Sequence, residues 1–416
     1  MIEYIKSYKI RVYPSKEQIR IFDRNCGACR WVYNNFIIVN GKRHKNKKPY
    51  LSGYDYSKKL TKWKKEDPDY MWLNENEISS KAVHEAFMDA DTAFRRFFKG
   101  ISGYPKIKNK KRNPVNSYFF VGDNVKFTHN KVKLPILGNV RIKENNYVPK
   151  DVHIMGGTLS CKNGKYYATF RIREYKEEHK LYETDYTPGI GIDVGVKTYI
   201  TGVNTLGDKF TYPKFIADKI YLHYEERIKN FQRIISKKME INLNHLVTSY
   251  MDKHNELPDE ETLNKMKGKG YSNSCRRLQK KINKLKEKQR NYKKDKVDKY
   301  VASLAKLKPV YITIEDLSVK ELLENNESKT LHKYIQECMF RCFYTKLEFK
   351  CLLNGIELRK ANKKFPSTKK CCICGEKNKT ITLNDRVFKC KCGNELDRDL
   401  NAAINLCNLE KYEIVV

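Results

Sequence analysis

The start of the chain carries two patterns of apolar residues in succession, first with the period of a strand and then with the period of a helix. Positions 8 to 12 alternate between apolar and polar residues, which predicts a strand that ends at Pro14. Ser15 and Gln18 can form a capping box at the start of a helix. Apolar side chains then recur at helical spacing on one face: Phe22, Cys26, Cys29, Tyr33, Phe36 and Ile37. This spacing predicts a long helix whose two cysteines are core thiols rather than a metal-binding or redox pair.

Further helices and then a run of strands complete the first half of the chain. The clearest of these helices begins near Ser80 and stops at Gly100. Its predicted apolar stripe consists of Val83, Phe87, Phe94, Phe97 and Phe98. From about Val125 to Tyr175 the pattern is that of strands, and Asn163-Gly164 is the signal of a type I′ hairpin turn. An isolated strand, then helices, then strands predicts one small β-barrel or sheet with a helical block inserted after its first strand.

A strand with a carboxylate in its middle opens the second half. In GIGIDVGVKTYITG the apolar residues at even positions 190 to 196 share one face, whereas Asp193 lies on the other face between Gly191 and Gly195. A carboxylate inside a buried strand costs several kcal/mol unless it is paired or binds a metal. The flanking glycines leave room for a neighbouring backbone to approach. We therefore interpret Asp193 as functional, the alternative being an aspartate at a strand end near the sheet edge.

Two long basic segments follow, with apolar residues at helical spacing near positions 224 to 235 and 278 to 297. They predict an antiparallel helical hairpin within 217–306, because neither segment keeps the strict heptad of a coiled-coil dimer. A second buried strand then runs through LKPVYITIEDL and ends in Glu315. The chain thus carries a second carboxylate at the end of a second strand.

Four cysteines near the C-terminal end form two close pairs. Cys371 and Cys374 precede one glycine, and Cys390 and Cys392 precede another. Two such pairs can close one tetrahedral Zn²⁺ site of four thiolates, as in a zinc ribbon. Cys372 offers a second way of pairing with Cys374, and two buried thiol pairs without metal are the other alternative. The spacing favours one structural zinc ion held by Cys371, Cys374, Cys390 and Cys392.

A third carboxylate comes directly after this ribbon. Asp397 and Asp399 precede LNAAINL, which reads as a helix start, where an aspartate is usually a cap. Asp193, Glu315 and Asp399 would repel one another and raise each other's pKa unless a divalent cation holds them together. Two Mg²⁺ ions about 3.5 to 4 Å apart could activate a water and stabilise the leaving oxygen in phosphodiester hydrolysis. This acidic set therefore predicts nuclease chemistry, and the sequence has no Walker loop and no GxGxxG after a strand.

The charge of the chain predicts its partner, and its cysteines predict its compartment. The 84 lysines and arginines exceed the 49 aspartates and glutamates by 35, which favours nucleic acid as the partner. An anionic membrane is disfavoured because no apolar run approaches the roughly 20 residues of a membrane helix, and the N-terminus lacks the apolar core of a signal peptide. The 13 cysteines are an odd number and mostly scattered, which indicates a reducing compartment. We expect a cytoplasmic, nucleoid-associated protein of two or three domains.

One basic stretch is a candidate contact with nucleic acid. In GYPKIKNKKR an aromatic residue stands beside five cations, and a solvated charged face is the alternative. The residues that we predict to contact phosphate are Tyr104, Lys106, Lys108, Lys110, Lys111 and Arg112.

Several motifs in the same order resemble the TnpB family, the compact nucleases of bacterial and archaeal insertion sequences, and through it the miniature type V CRISPR effectors. The resemblance runs nearly end to end through YKIRVYPSKEQ, CRWVYN, FRRFFKG, GYPKIKNKKR, LPILGNVRI, GIDVGVKT, YITIEDLSV, KKFPSTKKCCICG and CGNELDRDLNAAINL. The family commonly carries CxxCG at the second pair of cysteines, whereas this chain has Cys390-Lys391-Cys392-Gly393. The ribbon is expected to be one residue tighter there.

The resemblance implies an α+β chain of several domains. These are a wedge-like β-barrel (1–14 and 120–180), a helical recognition insert (15–119), an RNase H-like RuvC domain (186–366 and 396–416) and a zinc ribbon (367–395). It also implies that Asp193, Glu315 and Asp399 are the three catalytic, magnesium-binding residues, with Asp397 the weaker candidate. Family members use a guide RNA transcribed from the element's end, recognise a short motif beside the target and cut double-stranded DNA. Base pairing then reads the sequence, while the protein holds the heteroduplex by its backbone.

Four functions remain open at this stage. The favoured one is an RNA-guided DNA endonuclease of a transposon that also uses a separate transposase. A miniature CRISPR effector has the same architecture. A guide-dependent repressor without cleavage is disfavoured by the three intact carboxylates, and a transposase that joins DNA ends is disfavoured by the resemblance.

Overall fold

The computed structural model describes residues 1–109, 116–149, 152–177, 188–324, 328–363, 365–381 and 385–416. They form two compact units, Met1–Lys176 and Glu177–Val416. Most of the segment 176–187, where one unit gives way to the other, lies outside the described residues.

Unit 1 combines a sheet with a block of helices that follows its first strand. Its helices are α1 (Lys16–Lys45), α2 (Gly53–Glu66), α3 (Pro68–Met71) and α4 (Ser80–Phe98). Its strands are β1 (Ile2–Tyr13), β2 (Ser117–Phe120), β3 (Lys126–Phe127), β4 (Lys131–Leu134), β5 (Gly138–Ile142), β6 (Ile154–Lys162) and β7 (Lys165–Lys176).

The sheet of unit 1 is antiparallel, in the order β2-β6-β7-β1-β5-β4-β3. β1 lies at its centre and pairs with β7 along nearly its whole length. The turn between β6 and β7 has φ of 52° at Asn163 and 75° at Gly164, as a type I′ turn requires, so that prediction is confirmed. The pairings among the described residues leave β2 and β3 as two separate edges, so a closed barrel stays a prediction.

Three predictions about the helices of unit 1 have different outcomes. α1 begins with the predicted capping box, in which the Ser15 hydroxyl accepts a hydrogen bond from the Gln18 N–H and Gln18 accepts one from the Ser15 N–H. The thiols of Cys26 and Cys29 are buried among apolar side chains, as expected of core residues. The predicted stripe of α4 was wrong at its C-terminal end, because Phe97 and Phe98 are exposed beyond the edge of the core.

Unit 2 contains a mixed sheet flanked by helices. Its strands are β8 (Ile190–Val194), β9 (Thr198–Asn204), β10 (Lys209–Pro213), β11 (Tyr311–Ile314), β12 (Glu357–Ala361), β13 (Val387–Lys389), β14 (Glu395–Asp397) and β15 (Tyr412–Ile414). Its helices are α5 (Lys219–His254), α6 (Glu260–Lys269), α7 (Asn273–Lys306), α8 (Val319–Glu324), α9 (Lys329–Glu337), α10 (Phe340–Asn354) and α11 (Arg398–Cys407).

Six strands of unit 2 form one sheet in the order β10-β9-β8-β11-β12-β15, and β13 and β14 form a separate hairpin. β8, β11 and β12 run parallel to one another at its centre. One face packs on α7 and α10 through a large apolar core, and α11 packs on the other face. The chain is thus a mixed α/β protein of more than one domain, as predicted. Within the described residues, no helix has the length and apolar character needed to span a membrane.

Candidate active site and metal centre

The register of two parallel strands positions Asp193 and Glu315. Ile192 of β8 pairs with Ile314 of β11, so Asp193 and Glu315 occupy the next position of each strand, at the same end of the sheet. Because neighbouring residues of parallel strands in register share a face, both carboxylates lie on the face opposite the large apolar core. Carboxyl ends of parallel strands are where α/β sheets commonly carry their sites.

Gly191 lets a helix backbone approach this face. A Cβ at Gly191 would collide with the carbonyl oxygen of Ala403 and the N–H of Cys407, both in α11. α11 can therefore lie directly on β8 only because residue 191 has no side chain. This contact brings the first turn of α11, with Asp399, towards the end of β8 that carries Asp193.

The three carboxylates influence one another electrostatically. Burial, followed by the negative charges of Glu315 and Asp399, raises the pKa of Asp193 well above its ordinary value of 3.8, and Arg398 partly opposes this. Burial also raises the pKa of Glu315 above its ordinary 4.5, with a further contribution from Asp399. Two carboxyl groups with raised pKa and a third one beside them form the kind of cluster that a divalent cation stabilises.

The carboxylate of Asp399 lies beside two arginines, whereas that of Asp397 caps a helix. A carboxylate oxygen of Asp399 lies 3.5 Å from the Arg398 guanidinium and the other lies 3.8 Å from that of Arg386. Asp397 caps α11, because its side chain accepts hydrogen bonds of 3.0 Å from the N–H groups of Asp399 and Leu400. The oxygens of the three carboxylates lie farther apart than those of a closed ligand set. Among the described residues, only the four cysteines bring their ligand atoms within 4.8 Å of one another.

Ser367 and two asparagines were missed by the reasoning from sequence. The buried Ser367 hydroxyl donates a hydrogen bond to Glu315 and lowers the pKa of that carboxyl, against the larger effect of burial. The Asn405 amide donates to the carbonyl oxygens of Ser367 and Lys370 at 2.8 and 2.7 Å, and Asn401 donates to Lys370 at 2.8 Å. Nothing in FPSTKK distinguishes Ser367 as a site residue. Two amides at helical spacing between the apolar residues of LNAAINL are a signal that could have been used.

The cysteine cluster has the dimensions of a four-thiolate metal site. The Sγ atoms of Cys371 and Cys392 lie 3.7 Å apart, and those of Cys374 and Cys390 lie 3.5 Å apart. A zinc ion bonded to four sulfurs at about 2.3 Å in a tetrahedron keeps those sulfurs about 3.8 Å apart. These two separations are close to that value and all four sulfurs lie within 4.8 Å of one another, so the cluster suits the predicted ion.

The structure gives Cys371 and Cys372 different roles. Burial favours a neutral Cys371 thiol, but the N–H groups of Cys374 and Ile373 and the Asn394 amide favour its thiolate, and its pKa is lowered to about 6. Cys372 lies outside the cluster of four, and burial raises the pKa of its thiol. Its N–H instead donates to Asn401 of α11 at 3.0 Å. Cys372 therefore joins the cysteine-bearing segment to α11.

The predicted contacts with nucleic acid differ in accessibility. Tyr104 and Lys106 are exposed. The Lys108 ammonium lies 3.5 Å from the centre of the Tyr33 ring, and burial lowers its pKa, so this cation serves unit 1 internally. The remaining three candidates, Lys110, Lys111 and Arg112, lie outside the described residues.

Comparison with known proteins gives two matches to family models. The model described as Cas12f1-like, TNB domain matches residues 340–406, which include α10, the four cysteines and most of α11. The model described as a helix-turn-helix domain, of the OrfB_IS605 type, matches residues 1–49, which in this chain are β1 and α1.

Two curated proteins match nearly the whole chain. A protein of Streptomyces pristinaespiralis, assigned as an RNA-guided DNA endonuclease, is 26% identical over 98% of this chain and 90% of its own length. InsQ of Escherichia coli K12, with the same assignment, is 21% identical over 97% of this chain and 91% of its own. These matches support the resemblance of the chain to the TnpB family.

Solved structures resemble this chain more distantly. A complex of Cas12f1 with guide RNA and target DNA has a TM-score of 0.36 at 17% identity, and covers 98% of this chain and 100% of its own. CasPhi-2 bound to crRNA and DNA has a TM-score of 0.41 at 10% identity, and covers 97% of this chain and 91% of its own. The resemblance to the TnpB family therefore rests on the sequence matches.

Proposed function

We propose that this chain is an RNA-guided DNA endonuclease of an insertion sequence, which hydrolyses phosphodiester bonds with the help of divalent metal. Support comes from the family and from relatives assigned that activity over nine-tenths of their length. The observation that carries the proposal is the set of Asp193, Glu315 and Asp399. These come from three distant segments and lie at one end of the sheet of unit 2, where burial and the neighbouring carboxylates raise the pKa of Asp193 and that of Glu315.

The donor set fits magnesium. Carboxylate oxygens are the ligands that Mg²⁺ takes from proteins, and a buried cluster of acids needs positive charge to stay ionised. Asp193 and Glu315 would hold the cation from the sheet, and Asp399 from the first turn of α11. Bound there, divalent ions would supply Lewis-acid activation of water and stabilisation of the leaving oxygen.

The chain's own residues prepare the site. Ser367 fixes the orientation of the Glu315 carboxylate through its hydrogen bond. Arg398 and Arg386 lie beside Asp399, where they also favour a phosphate group of the substrate. Asp397 caps α11 and so keeps the first turn, and with it Asp399, in place.

The remaining parts have roles that follow from this proposal. In it, the large sheet of unit 2 with its helices is a RuvC domain of RNase H-like fold, and the four cysteines hold one structural zinc ion within a ribbon of 367–395. The sheet of unit 1 is the wedge, and 15–119 is the recognition insert. The partners are a guide RNA from the element's end and a double-stranded target, with a separate transposase for mobility.

The test begins with the RNA that copurifies when the gene is expressed with its native flanking DNA. We expect one dominant RNA with a constant scaffold and a 3′ segment that extends past the element's boundary. The purified complex should cut DNA that matches this segment in Mg²⁺, and Asp193→Ala should abolish cutting while it retains RNA and target. Equal cleavage by the wild type and Asp193→Ala would remove the catalytic assignment.

One observation favours a second candidate, a miniature type V CRISPR effector. Residues 340–406 match a model named after Cas12f1. The same RNA sequencing separates the two functions, because repeat-derived RNA would support the CRISPR effector. Absence of any specific RNA would contradict both.

A further inference from the structure

A group of exposed aromatic rings lies at the C-terminal end of α4. We define the aromatic patch as Tyr50, Phe97, Phe98 and Tyr104, whose exposed fractions range from 36 to 59%. Ring centres are 5.1 Å apart for Tyr50 and Phe98, 5.6 Å for Phe97 and Phe98, and 5.4 Å for Phe97 and Tyr104. Single exposed apolar residues are common, but a contiguous apolar patch usually marks a binding surface.

Buried residues of α4 contact the rings of the aromatic patch. The buried Phe94 ring lies 5.4 Å from both Tyr50 and Tyr104, centre to centre. The Tyr50 hydroxyl donates a 2.8 Å hydrogen bond to the buried Asp91, which also pairs with Arg95 at 2.7 Å. A ring fixed at both its edge and its hydroxyl loses little conformational freedom when a ligand covers it.

The two chain segments that carry the aromatic patch are basic. The two segments 41–50 and 92–109, which carry its four rings, contain no aspartate or glutamate. Apart from Lys108, which lies against the Tyr33 ring, their cationic residues are Lys42, Arg43, Lys45, Lys47, Lys48, Arg95, Arg96, Lys99 and Lys106. The end of α1 lies beside the patch, since a Cβ at Gly41 would stand 3.7 Å from the Tyr104 hydroxyl. A ligand of this surface must therefore offer flat apolar groups together with negative charge.

We propose that the aromatic patch is a stacking platform for unpaired bases of single-stranded nucleic acid. Exposed rings stack on bases of any sequence, and cations around them follow the phosphates. A continuous duplex fits less well, because its base faces are already stacked on one another. The inference rests on the proposed function, since it places one more contact with nucleic acid on a surface remote in sequence from the carboxylates.

Phe98 offers the sharpest test because it is the most exposed ring of the aromatic patch. The probe is a short single-stranded DNA with a fluorescent base analogue, bound by full-length protein that high salt has freed of copurified RNA, without Mg²⁺. Phe98→Ala should weaken binding about 5- to 150-fold, the range that loss of one base–aromatic stack produces. Phe98→Trp should bind at least as tightly as wild type, whereas Phe98→Leu should weaken binding almost as much as alanine.

Tyr175→Ala is the matched control, because Tyr175 is 58% exposed against 59% for Phe98 and lies in β7 outside the aromatic patch. It should leave affinity unchanged. Phe98→Ala should also leave the salt dependence of binding parallel to that of wild type, whereas Lys99→Ala should flatten its slope by about 0.7 for each phosphate that is no longer neutralised. Full affinity in Phe98→Ala, or in Phe98→Leu, would overturn base stacking.

Two further outcomes keep the inference separate from its alternatives. If Phe98→Ala loses binding to vesicles of anionic phospholipid but keeps DNA, the aromatic patch belongs to a membrane contact and the proposal fails. The binding assay needs neither guide RNA nor cleavage. If the wild-type protein never cuts DNA and Phe98→Ala still loses strand binding, the stacking platform is supported and the nuclease proposal fails.

Discussion

Ser367 donates a hydrogen bond to the carboxylate of Glu315 from a buried position at the root of the ribbon. The same residue accepts hydrogen bonds at its carbonyl oxygen from Asn405 of α11. One serine thus contacts both the carboxylate at the end of β11 and the helix that carries Asp399.

We expect Ser367→Ala to weaken metal binding at the acidic cluster. Without its donor, Glu315 loses a fixed rotamer, so cleavage should need several-fold more Mg²⁺ for half its maximal rate. Direct titration of Mn²⁺ by electron paramagnetic resonance checks the same loss without cleavage. Ser367→Thr, which keeps the hydroxyl, should recover part of the affinity, and Ser367→Ala should retain its zinc. Unchanged Mn²⁺ affinity in Ser367→Ala would mean that the hydrogen bond does not position Glu315.

Asp193→Asn should stabilise the metal-free protein in a pH-dependent way. The raised pKa of Asp193 means that the folded protein binds this proton more tightly than the unfolded chain. Stability of the wild type is therefore lost as pH rises from the ordinary aspartate value of 3.8 towards the raised pKa in the fold, and asparagine escapes this loss. Thermal unfolding in EDTA should give a difference in Tm between Asp193→Asn and wild type that grows with pH.

Asp218→Asn is the control of opposite sign for that measurement. The nearby Tyr292 hydroxyl, the Ile220 N–H, which donates a 2.9 Å hydrogen bond, and Lys296 at 3.4 Å lower the pKa of Asp218. The stability that this carboxylate contributes is present above the ordinary aspartate value and is lost as pH falls through its lowered pKa. Asp218→Asn should thus destabilise at neutral pH and become neutral in acid. A pH-independent difference for Asp193→Asn would show that its carboxyl is not perturbed.

Gly191→Ala should disrupt the contact between β8 and α11. The new methyl group would collide with backbone atoms of Ala403 and Cys407, which cannot rotate away. Overpacking costs typically about 1–3 kcal/mol, and a rigid neighbour puts this substitution at the upper end. The denaturant midpoint of unit 2 should fall and cleavage should be lost. Gly268→Ala is the control, because that helical glycine has nothing within 4 Å of its Cβ position and alanine should be neutral or stabilising there.

Cys374→Ser and Cys372→Ser should differ in zinc content. Cys374 belongs to the cluster of four sulfurs, whereas Cys372 lies outside it. We expect Cys374→Ser to lose most of its zinc and Cys372→Ser to keep about one ion per chain, measured by mass spectrometry of purified protein. Loss of zinc from Cys372→Ser alone would reverse the choice of ligand, and full retention in both would contradict the site.

Local patterns predicted the elements well, because capping, turn and period signals act within a few residues. The capping box at Ser15 and the turn at Asn163-Gly164 are examples. Alternation in the two acidic strands also predicted that Asp193 and Glu315 share their faces with polar or small residues. The register that makes them neighbours belongs to strand pairing across more than a hundred residues, which alternation does not specify.

Other features needed the folded chain for a physical reason. The apolar stripe predicted for α4 included Phe97 and Phe98. The core ends before the helix does, so the last turn of α4 is exposed. The role of Ser367 depends on its proximity to a strand 52 positions earlier. Gly191 was predicted to admit a backbone, and only packing identifies that backbone as α11.

The amides of Asn401 and Asn405 bind residues 367–370 to α11, and the Arg386 side chain lies beside Asp399, whereas residues 378–381 make no hydrogen bond or ion pair with the described residues of α11. The two ends of the ribbon should therefore tolerate changes in length differently. Insertions among residues 378–381 would lengthen the segment away from α11 and its carboxylate. Insertions at the root would shift the helix that carries Asp399, and natural variation in ribbon size is expected to accumulate at the tip.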